Sequence, residues 1–132
     1  MRYALFILVL VLLPACGAAS ENDLAETSWL LESMPAYADL GPVQVSLQFD
    51  SEGAVGGVGG CNSYGGSYAL SAANGIRFSE IFSTEMYCLE NNASEIEAAY
   101  FQALSQAQTY SRAAESLRLQ TTLGELIFAV DP

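Results

Sequence analysis

The chain has 132 residues, enough for one domain, with fifteen Asp and Glu against four basic residues and a formal net charge of −11. That balance argues against nucleic-acid binding through phosphate neutralisation and against attraction to anionic lipid head groups. All four bases are arginines and histidine is absent, which removes Ser-His-Asp and Cys-His catalysis, Schiff-base chemistry, the Walker lysine and histidine-based zinc sites.

The chain opens with Met1-Arg2-Tyr3, then an apolar run from Ala4 to Leu13, then Leu13-Pro14-Ala15-Cys16. A short basic start, an apolar stretch and a small residue before a cysteine form a secretory leader over residues 1–15. The layout resembles a bacterial lipobox, in which Cys16 is lipidated and becomes the mature N-terminus. Ordinary secretory cleavage is the alternative. An uncleaved anchor is disfavoured, because the run falls short of the roughly 20 residues that span a bilayer. Cleavage removes Arg2 and leaves three arginines against fifteen acids, a formal −12. Residues 16–25 are polar and weakly patterned and read as a tether to a domain over residues 26–132.

Within the domain, Glu26 to Ser33 is strand-like and holds the only tryptophan, Trp29, expected in the core. Met34 to Pro42 reads as a loop. Val43 to Phe49 alternates without a break, which puts Val43, Val45, Leu47 and Phe49 on one face. Asp50-Ser51-Glu52-Gly53 turns the chain back into an antiparallel partner. Gly56 to Tyr68 then gathers six of the eleven glycines around Cys61 and reads as a strand, a turn and a strand. Its segment Gly57-Val58-Gly59-Gly60-Cys61-Asn62 begins like a dinucleotide fingerprint, but ends in asparagine with no βαβ unit around it, so no cofactor is expected.

Gly66 to Ser71 and Ile76 to Ile81 are paired strands, joined by the turn Ala72-Ala73-Asn74-Gly75, whose Asn-Gly is a strong hairpin signal. Phe82 to Asn92 is irregular. Ser94-Glu95-Ile96-Glu97 matches a capping box, in which Ser94 and Glu97 bond each other's amides. Ile96, Tyr100, Ala103, Leu104 and Ala107 follow at helical spacing through about Gln108 and predict a helix packed on a sheet. Thr109 to Ala113, Ser116 to Thr121 and Glu125 to Val130 predict closing strands, the last apolar on both faces as a well-covered strand should be.

With Cys16 lipidated, Cys61 and Cys88 are an even pair in an oxidising compartment. A bond between them would close a loop of roughly 28 residues, worth about 3.5 kcal/mol in the chain-entropy model. The alternative is a reactive thiol pair, which usually reads Cys-x-x-Cys and does not here. Two cysteines make no Cys-rich metal site. Paired carboxylates are the remaining catalytic option: Glu80 with Glu85, or Asp50 with Glu52. Solvated surface acids are the commoner explanation of both. No enzyme is expected, a carboxylate-pair hydrolase being the exception kept open.

Trp29-x-Leu31, the run Gly59-Gly60-Cys61-Asn62-Ser63-Tyr64-Gly65-Gly66-Ser67-Tyr68, the segment Ile81 to Cys88 with Thr84-x-Met86-x-Cys88, the helix with Glu97, Tyr100 and Leu104, and Leu117-Arg118-Leu119 occur in this order. Together they resemble the META domain, the HslJ-like family of small bacterial envelope proteins, across about residues 24 to 130. The resemblance implies a single α+β domain: a strongly curved antiparallel sheet, a partial barrel, wrapped around one main helix. It implies that Trp29, Gly60, Cys61, Asn62, Tyr64, Gly66, Tyr68, Thr84, Met86 and Cys88 are the family's structural positions, with Cys61 and Cys88 paired outside the cytoplasm. It brings no catalytic residues, cofactor or metal.

The expected function is a non-enzymatic envelope lipoprotein, a binding or stabilising module linked to envelope or heat stress or to antibiotic tolerance. Lipid on Cys16 would hold it at a membrane, and Gly17 after that cysteine favours the outer membrane, facing the periplasm. One alternative is an acidic inhibitor or chaperone-like binder of a cationic protein such as a lysozyme or protease. Another is a carrier of a small apolar ligand in the curved sheet. The oligomeric state is left open.

Overall fold

A computed structural model describes residues 22–132. The leader 1–15, the lipidation candidate Cys16 and the tether as far as residue 21 lie outside the described residues. Eight strands and one helix follow in chain order: β1 Thr27–Ser33, β2 Ser46–Phe49, β3 Ala54–Val58, β4 Ser63–Ser71, β5 Gly75–Ser83, α1 Ala93–Ser105, β6 Ala107–Arg112, β7 Ser116–Thr121 and β8 Gly124–Val130.

Each strand pairs antiparallel with the next, and β8 pairs with β1. The sheet is therefore a closed eight-stranded barrel, not the partial one expected. Closure gives every described strand a neighbour on both sides. Its thinnest seam is β5 to β6, where only Gly75 and Thr109 pair. The chain passes through α1 between these two strands. The helix buries Ile96, Tyr100, Ala103 and Leu104 in the same apolar cluster as the strands.

Alternation decides which side chains point inward. Trp29, Leu31, Leu47, Phe49, Val55, Tyr64, Tyr68, Leu117, Leu119, Leu126 and Phe128 all fill the interior. Trp29 is core, as expected; its indole N–H donates to the Thr27 hydroxyl at 2.8 Å, and the Arg112 guanidinium lies 5.6 Å from its ring centre. Val45 joins the core, but the strand predicted from Val43 begins at Ser46, Val43 being half-buried. Barrel closure also leaves the outer side of β8 without a covering layer. Ile127 and Ala129 are half-buried and Val130 is exposed, so the strand is covered on one face only.

The β4–β5 turn forms over Ala72 to Gly75 as expected, with Ala73 and Asn74 at its centre, both with positive φ. Two local expectations change. Leu24, in the stretch read as tether, is fully buried, and the Thr27 hydroxyl holds its carbonyl at 2.6 Å. The capping box does not form. Asn92 is the N-cap in a left-handed conformation without a side-chain bond, and Ser94 instead exchanges hydrogen bonds with the backbone of Cys88. By contrast, Asp50 turns the chain as expected, its carboxylate accepting the amides of Glu52 and Ala54.

The up-and-down path gives the barrel two distinct ends. One end carries the β2–β3, β4–β5 and β6–β7 turns and the first described residue, Asn22, whose side chain donates to the Tyr68 hydroxyl at 2.7 Å. The opposite end carries the β3–β4 turn, the segment after β5 and the start of α1.

Candidate functional site

Asn62 is the centre of that second end. It is buried in the β3–β4 turn, and both ends of its amide are in use. Its oxygen accepts the Thr84 hydroxyl and the Met86 amide, each at 2.8 Å. Its nitrogen donates to the Met86 carbonyl at 3.1 Å and to Glu97 Oε1 at 2.6 Å. Asn62 thus reads the backbone of the segment after β5 as a neighbouring strand would.

Glu97, also buried, supports this from α1. Its Oε2 accepts the backbone amides of Cys61 at 3.0 Å and Asn62 at 2.6 Å. This explains the missing capping box. The turn amides have no ladder partner and that of Asn62 is removed from water, so an unmade bond there costs more than an uncapped helix start at the surface. Cys61 and Cys88 are joined by a disulfide, Cα to Cα 5.8 Å, so the thiols are not a free pair in this structure. Gly60 makes the close approach possible. Its φ is +122°, and a β-carbon there would sit 3.2 Å from the Ala93 carbonyl.

Beneath this clasp lie Tyr64 and Tyr100, their hydroxyls 2.7 Å apart, with the Tyr64 hydroxyl also donating to the Ser46 carbonyl at 2.7 Å. Burial pushes Tyr64 well above the ordinary tyrosine range, with the bond to Tyr100 opposing it in part. Burial also raises Tyr100, and the neighbouring Tyr64 raises it further. Tyr110, near the other end, is pushed up to about 12 by burial and then by its bond to Asp23. A raised folded pKa stabilises the neutral form, so this contribution is complete below the unfolded value of about 10 and is lost as pH rises above it. Thermal melts should therefore fall off above about pH 10, and a Tyr64→Phe, Tyr100→Phe double variant should show a shallower fall. An alkaline limb unchanged in that variant would assign the loss to other groups.

Of the motif residues, the structure brings Gly60, Cys61, Asn62, Thr84, Met86 and Cys88 together at one end. Tyr64 packs below them, Gly66 lies across from a bulge in β5, and Trp29 and Tyr68 serve the far end of the core. The acids weighed as catalytic pairs, Asp50, Glu52, Glu80 and Glu85, are all exposed. Asp50 is spent on its turn, and Glu80 accepts only the Ser67 hydroxyl, at 3.3 Å.

Two features were not anticipated. One is the role of Glu97. The other is an apolar surface around the disulfide, where Phe82 is 70 %, Met86 62 %, Tyr87 70 % and Leu89 87 % exposed. Phe82 has the same parity as the inward Ile76 and Phe78, so alternation alone would bury it. The extra residue in β5 reverses that parity: Ser79 pairs with Ser67 but Phe82 pairs with Gly65, and Glu80 between them has φ +54°. The Phe82 ring rests on Gly65, where a β-carbon would come within 2.6 Å of it.

The model of the META domain matches residues 22–131. The chain belongs to the META domain family. An NMR structure of a protein from Burkholderia xenovorans is 28% identical, covering 82% of this chain and 83% of that one with a TM-score of 0.66. A second NMR structure, 19% identical, covers 81% of this chain and 91% of that one with a TM-score of 0.65, a likeness of fold. No curated protein matches the chain. Within the META domain, then, the Gly-Cys-Asn and Thr-x-Met-x-Cys elements are two halves of one clasp. Asn62 and the disulfide join them, and Glu97 supports the join.

Proposed function

We propose that the protein is a non-enzymatic lipoprotein of a bacterial cell envelope, its META domain acting as a binding or stabilising module in envelope or heat stress or antibiotic tolerance. One observation supports this above the others. The polar motif residues are spent on one another, with Asn62 making bonds through both ends of its amide and Glu97 receiving three donors. Such a cluster stiffens a surface, its polar groups being engaged with one another. The leader layout before Cys16 supports lipid attachment, and Gly17 supports retention at the outer membrane facing the periplasm.

The carrier reading has less behind it. The barrel interior is occupied by Trp29, Tyr100, Phe128 and the leucines around them. A depression of about 390 Å³ lies outside it, between Glu26, Gln48, Asp50 and Val55, and one of about 250 Å³ between Asp23, Leu70, Asn74 and Tyr110. Neither is the enclosed apolar space that such a ligand needs.

Metabolic labelling tests the anchoring. Cells expressing the full chain should incorporate radiolabelled palmitate into it, and Cys16→Ser should abolish the label and move the protein to the soluble fraction. Equal labelling of the variant, or none of either form, would overturn the lipoprotein reading.

A further inference from the structure

The apolar surface around the disulfide is held in place, and that separates it from a loose loop. Its backbone is tied at four points: the Thr84 amide to the Ser63 carbonyl, Met86 to Asn62, Cys88 to Ser94, and Cys88 to Cys61 through sulfur. Four of the seven large apolar side chains exposed among the described residues fall within residues 82–89, and Val58 from β3 lies on the same face as Phe82. A fixed, exposed apolar patch marks an interaction site, and fixing it beforehand lowers the entropy cost of binding.

The charge around the patch indicates what would bind. From residue 78 to residue 111 the chain has no basic residue, and Glu80, Glu85 and Glu90 are exposed while Glu95 accepts the Tyr87 hydroxyl at 3.3 Å. These carboxylates rim the apolar centre without a cation of the chain's own in that stretch. Such a rim repels anionic lipid head groups, and it repels a second copy of the same surface. It suits a partner that brings positive charge and apolar groups together.

We propose that this face docks a polypeptide segment in which lysine or arginine is interspersed with apolar residues. Phe82, Met86, Tyr87 and Leu89 take the apolar side chains, and Glu80, Glu85 and Glu90 take the cations. The placement agrees with a tethered module. Asn22, the first described residue, bonds the Tyr68 side chain and lies beside Asp23 on Tyr110, whereas the patch lies toward the Ser63 end of β4, about 17 Å further along at strand rise. A lipid tether on Cys16 would then leave the patch facing away from the membrane; that orientation, though not the docking itself, rests on the lipoprotein reading.

The test uses a short fluorescein-labelled peptide of alternating lysine and leucine, with a glutamate and leucine peptide as control. The full chain is used as cells produce it, in phosphatidylcholine nanodiscs if palmitate labels it and free in solution if not, so anchoring and docking fail separately. Saturable binding of the basic peptide is expected, weakened about tenfold by half-molar salt. Phe82→Ser with Leu89→Ser, and separately Glu85→Gln with Glu90→Gln, should each weaken it about tenfold without lowering the melting temperature. Full-strength binding by both variants, equal binding of the glutamate peptide, preference for anionic vesicles, or a dimer that Leu89→Ser dissolves would each overturn the proposal.

Discussion

Replacing Glu97 by alanine should lower the melting temperature by about 15 °C. The substitution takes the acceptor from three donors: the amides of Cys61 and Asn62 and the side-chain nitrogen of Asn62. An unmade buried bond costs about 1–3 kcal/mol, and water can reach the half-buried Cys61 amide, so a total of about 4 kcal/mol is expected. At roughly 4 °C per kcal/mol for a domain of this size, that gives the stated shift. Glutamine should fall between, since it keeps one acceptor oxygen but turns an amide N–H₂ toward donors. Differential scanning calorimetry of the three proteins decides. A Glu97→Ala melt within two or three degrees of the parent would mean the turn amides find water at little cost.

The disulfide carries the second large effect. Replacing Cys61 and Cys88 together by serine should cost about 3.5 kcal/mol, or roughly 10–15 °C, through the added freedom of the unfolded chain. Barrel strands far from the bond should keep their pairing, because Asn62 still joins the turn to the segment after β5. For the same reason the two losses should not add. Glu97 and Cys61 serve one turn, and a double-mutant cycle should return an interaction energy of about 1 kcal/mol. Strict additivity would show that clasp and disulfide act independently.

Much of this fold was legible along the chain wherever one local period dominated. The strand Ser116 to Thr121 and the glycine-rich strand-turn-strand followed from alternation and turn chemistry. Ile96, Tyr100 and Leu104 marked the helix by their spacing. What could not be read depends on residues distant in sequence. Ser94 and Glu97 carry a capping signal at the right spacing, yet Glu97 answers amides more than thirty residues away. Closure between β5 and β6 rests on one pair, Gly75 with Thr109, which no local pattern announces. Phe82 was read as the start of an irregular stretch, although it lies in β5, because the bulge that turns it outward is visible only against β4. Leu24 sat in polar surroundings that masked its burial. The motif itself was legible as a set of positions; that they form a clasp under an exposed apolar surface needed the third dimension.

Hydrogen exchange at the Met86 amide tests this account most directly, because that N–H lies in an otherwise irregular segment and bonds only to Asn62. The account predicts slow exchange in the intact protein and fast exchange in Asn62→Ala, with the amides of β7 and β8 protected in both. Fast exchange at Met86 in the intact protein, beside protected barrel amides, would show that the segment is not held and would contradict the clasp.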